Sequence, residues 1–226
     1  AEQLVTLVVW LHLGTILAVI ARYPRTILEI ITLRDRQLFR LLLLATAATA
    51  VTAIPLYFLL KDSLMVIHGE TINILVGALL FVTAMFLWLP TRNAGGQEIE
   101  TTDVDNQKSL ITGIIQGFSV LPGLSRSGIT ISVLLMQKID KEKALQFSFL
   151  MSVPAVLGIL ALEILTGEAI PPAINAVDLF IMEVIVFVIG LISMEFLLRI
   201  ARRISFWKLC VILGIIAIAF GIPALL

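Results

Sequence analysis

Six apolar stretches, at residues 4–21, 38–60, 72–89, 144–165, 177–198 and 206–226, are each close to the length of helix that crosses a bilayer core. They constrain the fold more than any motif does. In hydrocarbon every backbone N–H and C=O must pair within the structure, so the expected class is an all-α polytopic membrane protein. Composition agrees, because hydrophobic residues make up 59% of the 226 and charged residues 14%. One water-soluble core of this length cannot bury so much apolar surface. The formal net charge is zero, so only the placement of charges informs, and no nucleic-acid partner is expected. Cys210, the sole cysteine, lies in an apolar run and reads as a packing residue. Pro55, Pro154 and Pro223 fall inside or near the ends of apolar runs, where they predict kinks rather than breaks.

A polar loop at 91–107 follows the third stretch, and then an apolar piece of different character, residues 113–136. Its centre holds Pro122, Gly123, Ser125, Arg126, Ser127 and Gly128. Arginine at the centre of a lipid-facing helix costs about 2.5–3.5 kcal/mol, and Pro-Gly beside it breaks the hydrogen-bond ladder. A re-entrant helical hairpin removes both costs, because irregular backbone is tolerated where it lines a protein-enclosed cavity. The basic residues favour that reading. With Arg22, Arg25, Arg34, Arg36 and Arg40 cytoplasmic, a hairpin puts 14 of the 16 Lys and Arg on the cytoplasmic side, Lys61 outside and Arg126 in the membrane. A full crossing scatters them.

The expected architecture is therefore six transmembrane helices plus one re-entrant hairpin, forming a single membrane domain in the cell membrane. Three spans lie on either side of the hairpin. Its halves, 1–90 and 108–226, read as an inverted-topology repeat whose first half is incomplete at its N-terminus. The sequence opens on Ala1 with no basic region before the first apolar stretch, so no signal peptide is read and a processed or truncated start is expected.

The residue types at 122–130, PGLSRSGIT, suit a phosphate. Arg126 carries a permanently charged planar fork that can hold two oxygens at once. Ser125, Ser127 and Thr130 add hydroxyls, and a second arm starting near Ser125 turns its unpaired N–H groups toward the same point. Gly123 and Gly128 let backbone approach closely. The alternative is that the hydroxyls cap half-helices while Arg126 pairs with a buried carboxylate.

The segment GIIQGFSVLPGLSRSGITIS, 113–132, resembles the second signature of the undecaprenyl-pyrophosphate phosphatases, the family linked to bacitracin resistance. QFSFLMSVPAVLG at 146–158, LHLGTILAV at 11–19 and RRISF at 202–206 resemble its neighbouring segments. The resemblance implies hydrolysis of a polyprenyl diphosphate to the monophosphate carrier used in envelope glycan synthesis. It implies that Arg126 contacts the diphosphate, with Ser125, Ser127 and Thr130 as ligands or positioning groups and Gln116 facing the same cavity. It also implies Mg²⁺ or Ca²⁺, although no metal ligand is identified. The family's other signature, a glutamate-rich segment with Pro, paired Ser and His, is expected upstream of Leu4. Its tip would meet 122–130 in a site open to the outer side.

The expected partners are the polyprenyl diphosphate and membrane lipids, with a homodimer left open. The rival function is a polyprenyl-phosphate flippase using the same broken helix, and a catalytically dead scaffold is the third reading. Weaker candidates are His12, read as a packing histidine, and His68, read as solvated. Glu163, Glu183 and Glu195 lie in or near apolar runs, where ionisable groups mark function. Gly113 and Gly117 read as a close-packing pair.

Overall fold

The computed structural model of the chain describes residues 2–65, 77–86, 88, 102–121, 124–166, 175–201 and 206–221. His68, Pro122, Gly123, Pro223 and most of the 91–107 loop lie outside the described residues. Helices account for nearly all the rest: α1 (Glu2–Arg22), α2 (Pro24–Ile31), α3 (Arg36–Met65), α4 (Gly77–Phe86), α5 (Asn106–Gly117), α6 (Arg126–Met136), α7 (Lys141–Thr166), α8 (Ala176–Ala201) and α9 (Phe206–Gly221). Three segments, Arg36–Leu59, Lys141–Leu162 and Val177–Phe196, are long and apolar enough to cross a membrane. On α8 Phe180, Ile185, Ile189 and Ile192 are left exposed, a surface that only a hydrocarbon solvent would tolerate. Helices α3 and α7 run unbroken through Pro55 and Pro154. Helix α2 falls between the first two apolar stretches, in the arginine-rich segment to which the sequence reading assigns no helix.

The chain divides into two compact units, residues 1–43 with 149–200 and residues 44–148 with 201–226. In the first, Ile16 of α1 and Val156 and Leu160 of α7 form a buried cluster, with Trp10, Leu13, Ile20 and Val153 packed around it. Helix α1 also packs along α8. A Cβ on Gly14 would come within 2.8 Å of the Glu183 carbonyl oxygen, so this contact requires glycine, and Ala18 meets Gly190. One turn further, Arg22 Nε pairs with Glu195 Oε2 at 3.2 Å, while Arg199 Nε takes Glu195 Oε1 at 3.2 Å. Contacts thus advance together along the two helices, which run parallel.

In the second unit α5 and α6 pack against each other as a helical hairpin whose open ends are tied. The Thr102 N–H donates to the Lys138 carbonyl at 3.0 Å, and the Lys108 ammonium donates to the Thr102 hydroxyl at 2.7 Å. Lys143 pairs with Asp103. That ammonium holds the Asp103 carboxyl below its ordinary value, chiefly through the hydrogen bond. The pair's contribution is therefore present above the unfolded carboxylate pKa and lost as pH falls through the lowered one. Exposure keeps it small.

The first arm begins at Asn106 rather than Gly113, because Asp105 accepts the Lys108 N–H at 2.8 Å and caps the helix inside the stretch read as a loop. Lys138, at φ 62°, turns the chain left-handed just after the second arm ends.

The hairpin is seated on α3 through small residues. A Cβ on Gly113 would strike the Ala45 carbonyl, and one on Gly117 the Thr52 hydroxyl. Thr49 donates to the Gly113 carbonyl at 3.0 Å and Thr52 to that of Ile114 at 3.0 Å, so carbonyls of α5 are met from α3. Gly113 and Gly117 have the packing role their spacing suggests. Helices α4 and α9 cross at a facing glycine pair, Gly77 and Gly214.

Candidate functional site

Ser125 sets the geometry of the second arm. Its backbone is extended at ψ 111°, and its Oγ accepts the Gly128 N–H at 3.2 Å, which makes it the N-cap and Arg126 the first helical residue. The N–H groups of Arg126 and Ser127 then have no carbonyl within α6 to bond. Arg126 Nη1 is buried and has no hydrogen-bond partner among the described residues. The sequence alternative had paired this guanidinium with a buried carboxylate, and no such partner occurs among the described residues. The hydroxyls of Ser125 and Ser127, on either side of Arg126 in the chain, lie 3.5 Å apart. A cation, two hydroxyls and a helix N-terminus are thus contributed by three successive residues, a set of groups suited to phosphate.

The other sequence candidates fall around this turn in different roles. Thr130 sits one turn further along α6, wholly buried. Its hydroxyl lies 2.9 Å from the Arg126 carbonyl and 2.6 Å from the Ser148 hydroxyl of α7, so it links the first turn of α6 to α7. Gly128 is small because Thr83 of α4 lies against it: a Cβ would come within 2.6 Å of the Thr83 methyl. Gln116, 1% exposed on α5, donates from Nε2 to Thr49 Oγ1 at 3.3 Å. Its Oε1 is buried without a partner among the described residues. Gly123 lies outside the described residues.

Sequence reasoning missed Ser148, Thr49 and Thr83. The first two carried a signal: a lone serine within QFSFLM, and the alternation of Ala and Thr over 45–53, which supplies a smooth face with hydroxyls. Of the weaker candidates, Glu195 is occupied by two arginines and His12 is half-buried on α1. Both carboxylate oxygens of Glu183 are buried against α1 without a partner among the described residues. The side chains of Glu163 and Cys210 lie outside the described residues.

No group of three His, Cys, Asp or Glu that could hold a metal ion comes together among the described residues. At residues 125–127 the described side chains are a cation and two hydroxyls, which suit an anion rather than a divalent cation.

The sequence pattern of the family described as bacitracin resistance protein BacA matches residues 1–218. A protein named undecaprenyl-diphosphatase from Methanothrix thermoacetophila is 37% identical over 211 residues, covering 93% of this chain and 79% of that relative. One of the same name from Methanopyrus kandleri is 36% identical over 226 residues, covering 96% and 81%. Another from Haloarcula marismortui is 34% identical over 227 residues, covering 96% and 82%.

Proposed function

Because the chain belongs to the bacitracin resistance protein family, we propose that it hydrolyses undecaprenyl diphosphate to the monophosphate, and that Arg126 is the residue on which the reaction turns. Net, water adds across the phosphoanhydride: the bond from the terminal phosphorus to the bridging oxygen breaks, and phosphate and the lipid monophosphate leave. Such a transfer asks a protein mainly to position the phosphoryl group and to meet the charge spreading over its oxygens. The observation that carries the reading is the buried, unpartnered Nη1 of Arg126 at the capped start of α6. Its fork and the free N–H groups beside it would hold the terminal phosphate, with the hydroxyls of Ser125 and Ser127 on the rim.

The test is phosphate release from undecaprenyl diphosphate by the purified full-length protein in detergent, with Mg²⁺, Ca²⁺ or EDTA. Release is expected with either cation and none in EDTA. The described residues offer the ion no site of their own, so the cation requirement rests on the family resemblance alone. Absence of release under all three conditions, with lipid monophosphate still moving between leaflets of a vesicle, would favour the flippase instead.

The finer architecture is part of the same proposal: six spans and a hairpin re-entering from the cytoplasmic side, with the site open to the outside. The parallel run of α1 and α8 supports it by parity. If the α5–α6 segment returns to its own side, both helices cross in the same sense, whereas a full crossing would make them antiparallel. A repeat of 137 residues supports the inverted halves. Residues 15–21, TILAVIA, align at that offset with 152–158, SVPAVLG, and residues 74–77, ILVG, with 211–214, VILG. Val153 packs on the cluster that contains Ile16, and Gly77 faces Gly214, each pair being separated by this same interval. A residue that meets its own repeat mate is what an inverted repeat would bring about, so each pair supports the repeat within its own unit.

Single cysteines at Asp103 and Lys138, in a Cys210→Ala background, are expected to react with an impermeant maleimide from one face and a cysteine at Asn175 from the other. Labelling of 103 and 138 from opposite faces would end the hairpin reading.

A further inference from the structure

Helix α2 has no buried residue, although half of it is apolar. At the helical repeat Ile27, Leu28 and Ile31 share one face while Arg25 and Glu29 share the other. Leu28 is 60% and Ile31 72% exposed, and Leu33 just beyond is 47% exposed, so the described residues leave most of the apolar face uncovered. Eight residues are too few to hold a helix in water unaided. The flanks say what covers it. The shorter apolar helix Trp10–Arg22 ends where α2 begins, and a segment long and apolar enough to cross a membrane starts at Arg36, so α2 sits just before a crossing candidate, where a bilayer surface would lie.

Charge points the same way. Between residues 22 and 40 the chain carries Arg22, Arg25, Arg34, Arg36 and Arg40 against Glu29 and Asp35. Arg22 is held by Glu195, and Asp35 is spent on capping α3, where its Oδ1 accepts the Leu38 N–H at 2.9 Å. Arg25, Arg34, Arg36 and Arg40 are exposed, and none of them pairs with a carboxylate among the described residues.

We propose that α2 is an interfacial helix that seats Ile27, Leu28 and Ile31 in the membrane surface, and that Arg25, Arg34, Arg36 and Arg40 bind the phosphates of anionic phospholipids there. An apolar face beside unpaired arginines is the combination that partitions to an anionic interface. The site is separate in sequence from the Arg126 turn and does not rest on the hydrolase reading.

The full-length protein, reconstituted with equal phosphatidylglycerol and phosphatidylcholine, is expected to retain phosphatidylglycerol at least threefold over phosphatidylcholine in its bound lipid shell. The Arg25→Gln/Arg34→Gln/Arg36→Gln/Arg40→Gln protein should lose that preference. A Lys138→Gln/Lys141→Gln control on the α5–α6 hairpin base should keep it. An environment-sensitive fluorophore at Leu28→Cys, in the Cys210→Ala background, should be blue-shifted and quenched by lipid carrying a nitroxide near the headgroup. An unchanged lipid preference in the arginine variant overturns the proposal. So does a probe that reads as water-exposed, or one that is blue-shifted but unquenched, as it would be beneath a second copy of the chain.

Discussion

Arg126→Lys protein is expected to fold normally and to release phosphate from undecaprenyl diphosphate about 100-fold more slowly than wild type. A charge-assisted hydrogen bond contributes roughly 1.5–3 kcal/mol, and about 1.4 kcal/mol is a factor of ten in rate. Lysine keeps the charge but presents a point rather than a fork, so at least one such bond to the terminal phosphate is lost in the transition state. The loss should appear in kcat/KM. A companion variant separates this role from a structural one. Burying a cation without a partner destabilises a fold, and Nη1 has none among the described residues. Arg126→Leu is therefore expected to abolish turnover while holding or raising the thermal midpoint in detergent. A structural arginine would behave in the opposite way, and near-normal turnover by Arg126→Lys would remove the residue from the reaction.

The reaction class was legible in the sequence because it is written locally. Ser-Arg-Ser-Gly carries a cap, a phosphate fork and a small residue within four positions, and the structure starts α6 at Arg126, where that pattern points. What was less legible depends on packing between distant segments. The sequence suggests Thr130 as a phosphate ligand because its side chain is a hydroxyl near the arginine. Only the fold brings Ser148 to 2.6 Å from it and shows that the hydroxyl also links α6 to α7. Gly128 invites the same reading, and only the fold shows that Thr83, 45 residues earlier in the chain, also lies against it. The start of the hairpin was missed because Asn106 to Ser109 is polar and reads as loop, although Asp105 is a good N-cap and Lys108 closes the turn. Helix α2 was hidden by its arginines, which draw attention away from the four apolar residues among them. The proposed inverted repeat is the reverse case, since the 137-residue register that supports it is present in the letters. It stands out only once Gly77 is seen facing Gly214, because a seven-residue likeness between apolar segments carries little weight by itself.

Two glycine substitutions are expected to move stability in opposite directions, and the comparison tests how the site is held rather than what it contains. Gly113 lies on the Ala45 backbone, and a Cβ there meets the carbonyl oxygen, the Cα at 2.8 Å and the carbonyl carbon at 2.9 Å. None of these is a flexible side-chain end that can swing away, so Gly113→Ala must push α5 off α3. That movement breaks the 3.0 Å bond from Thr49 to the Gly113 carbonyl and removes the acceptor for Gln116 on the same threonine. Overpacking of this kind costs about 1–3 kcal/mol, and an orphaned buried hydrogen-bonding group a further 1–3 kcal/mol. Gly113→Ala should accordingly lower the thermal midpoint by roughly 10 °C. It should reduce phosphate release with it, because α5, which carries Gln116, packs against α6. Gly158 sits within α7 with nothing within 4 Å of an added Cβ. There alanine only improves helix propensity, by about 1 kcal/mol, and Gly158→Ala should raise the midpoint and leave turnover unchanged. Equal midpoints for the two variants would mean that the hairpin is not seated on α3 through Gly113, and that the support of Arg126 must be sought on other helices.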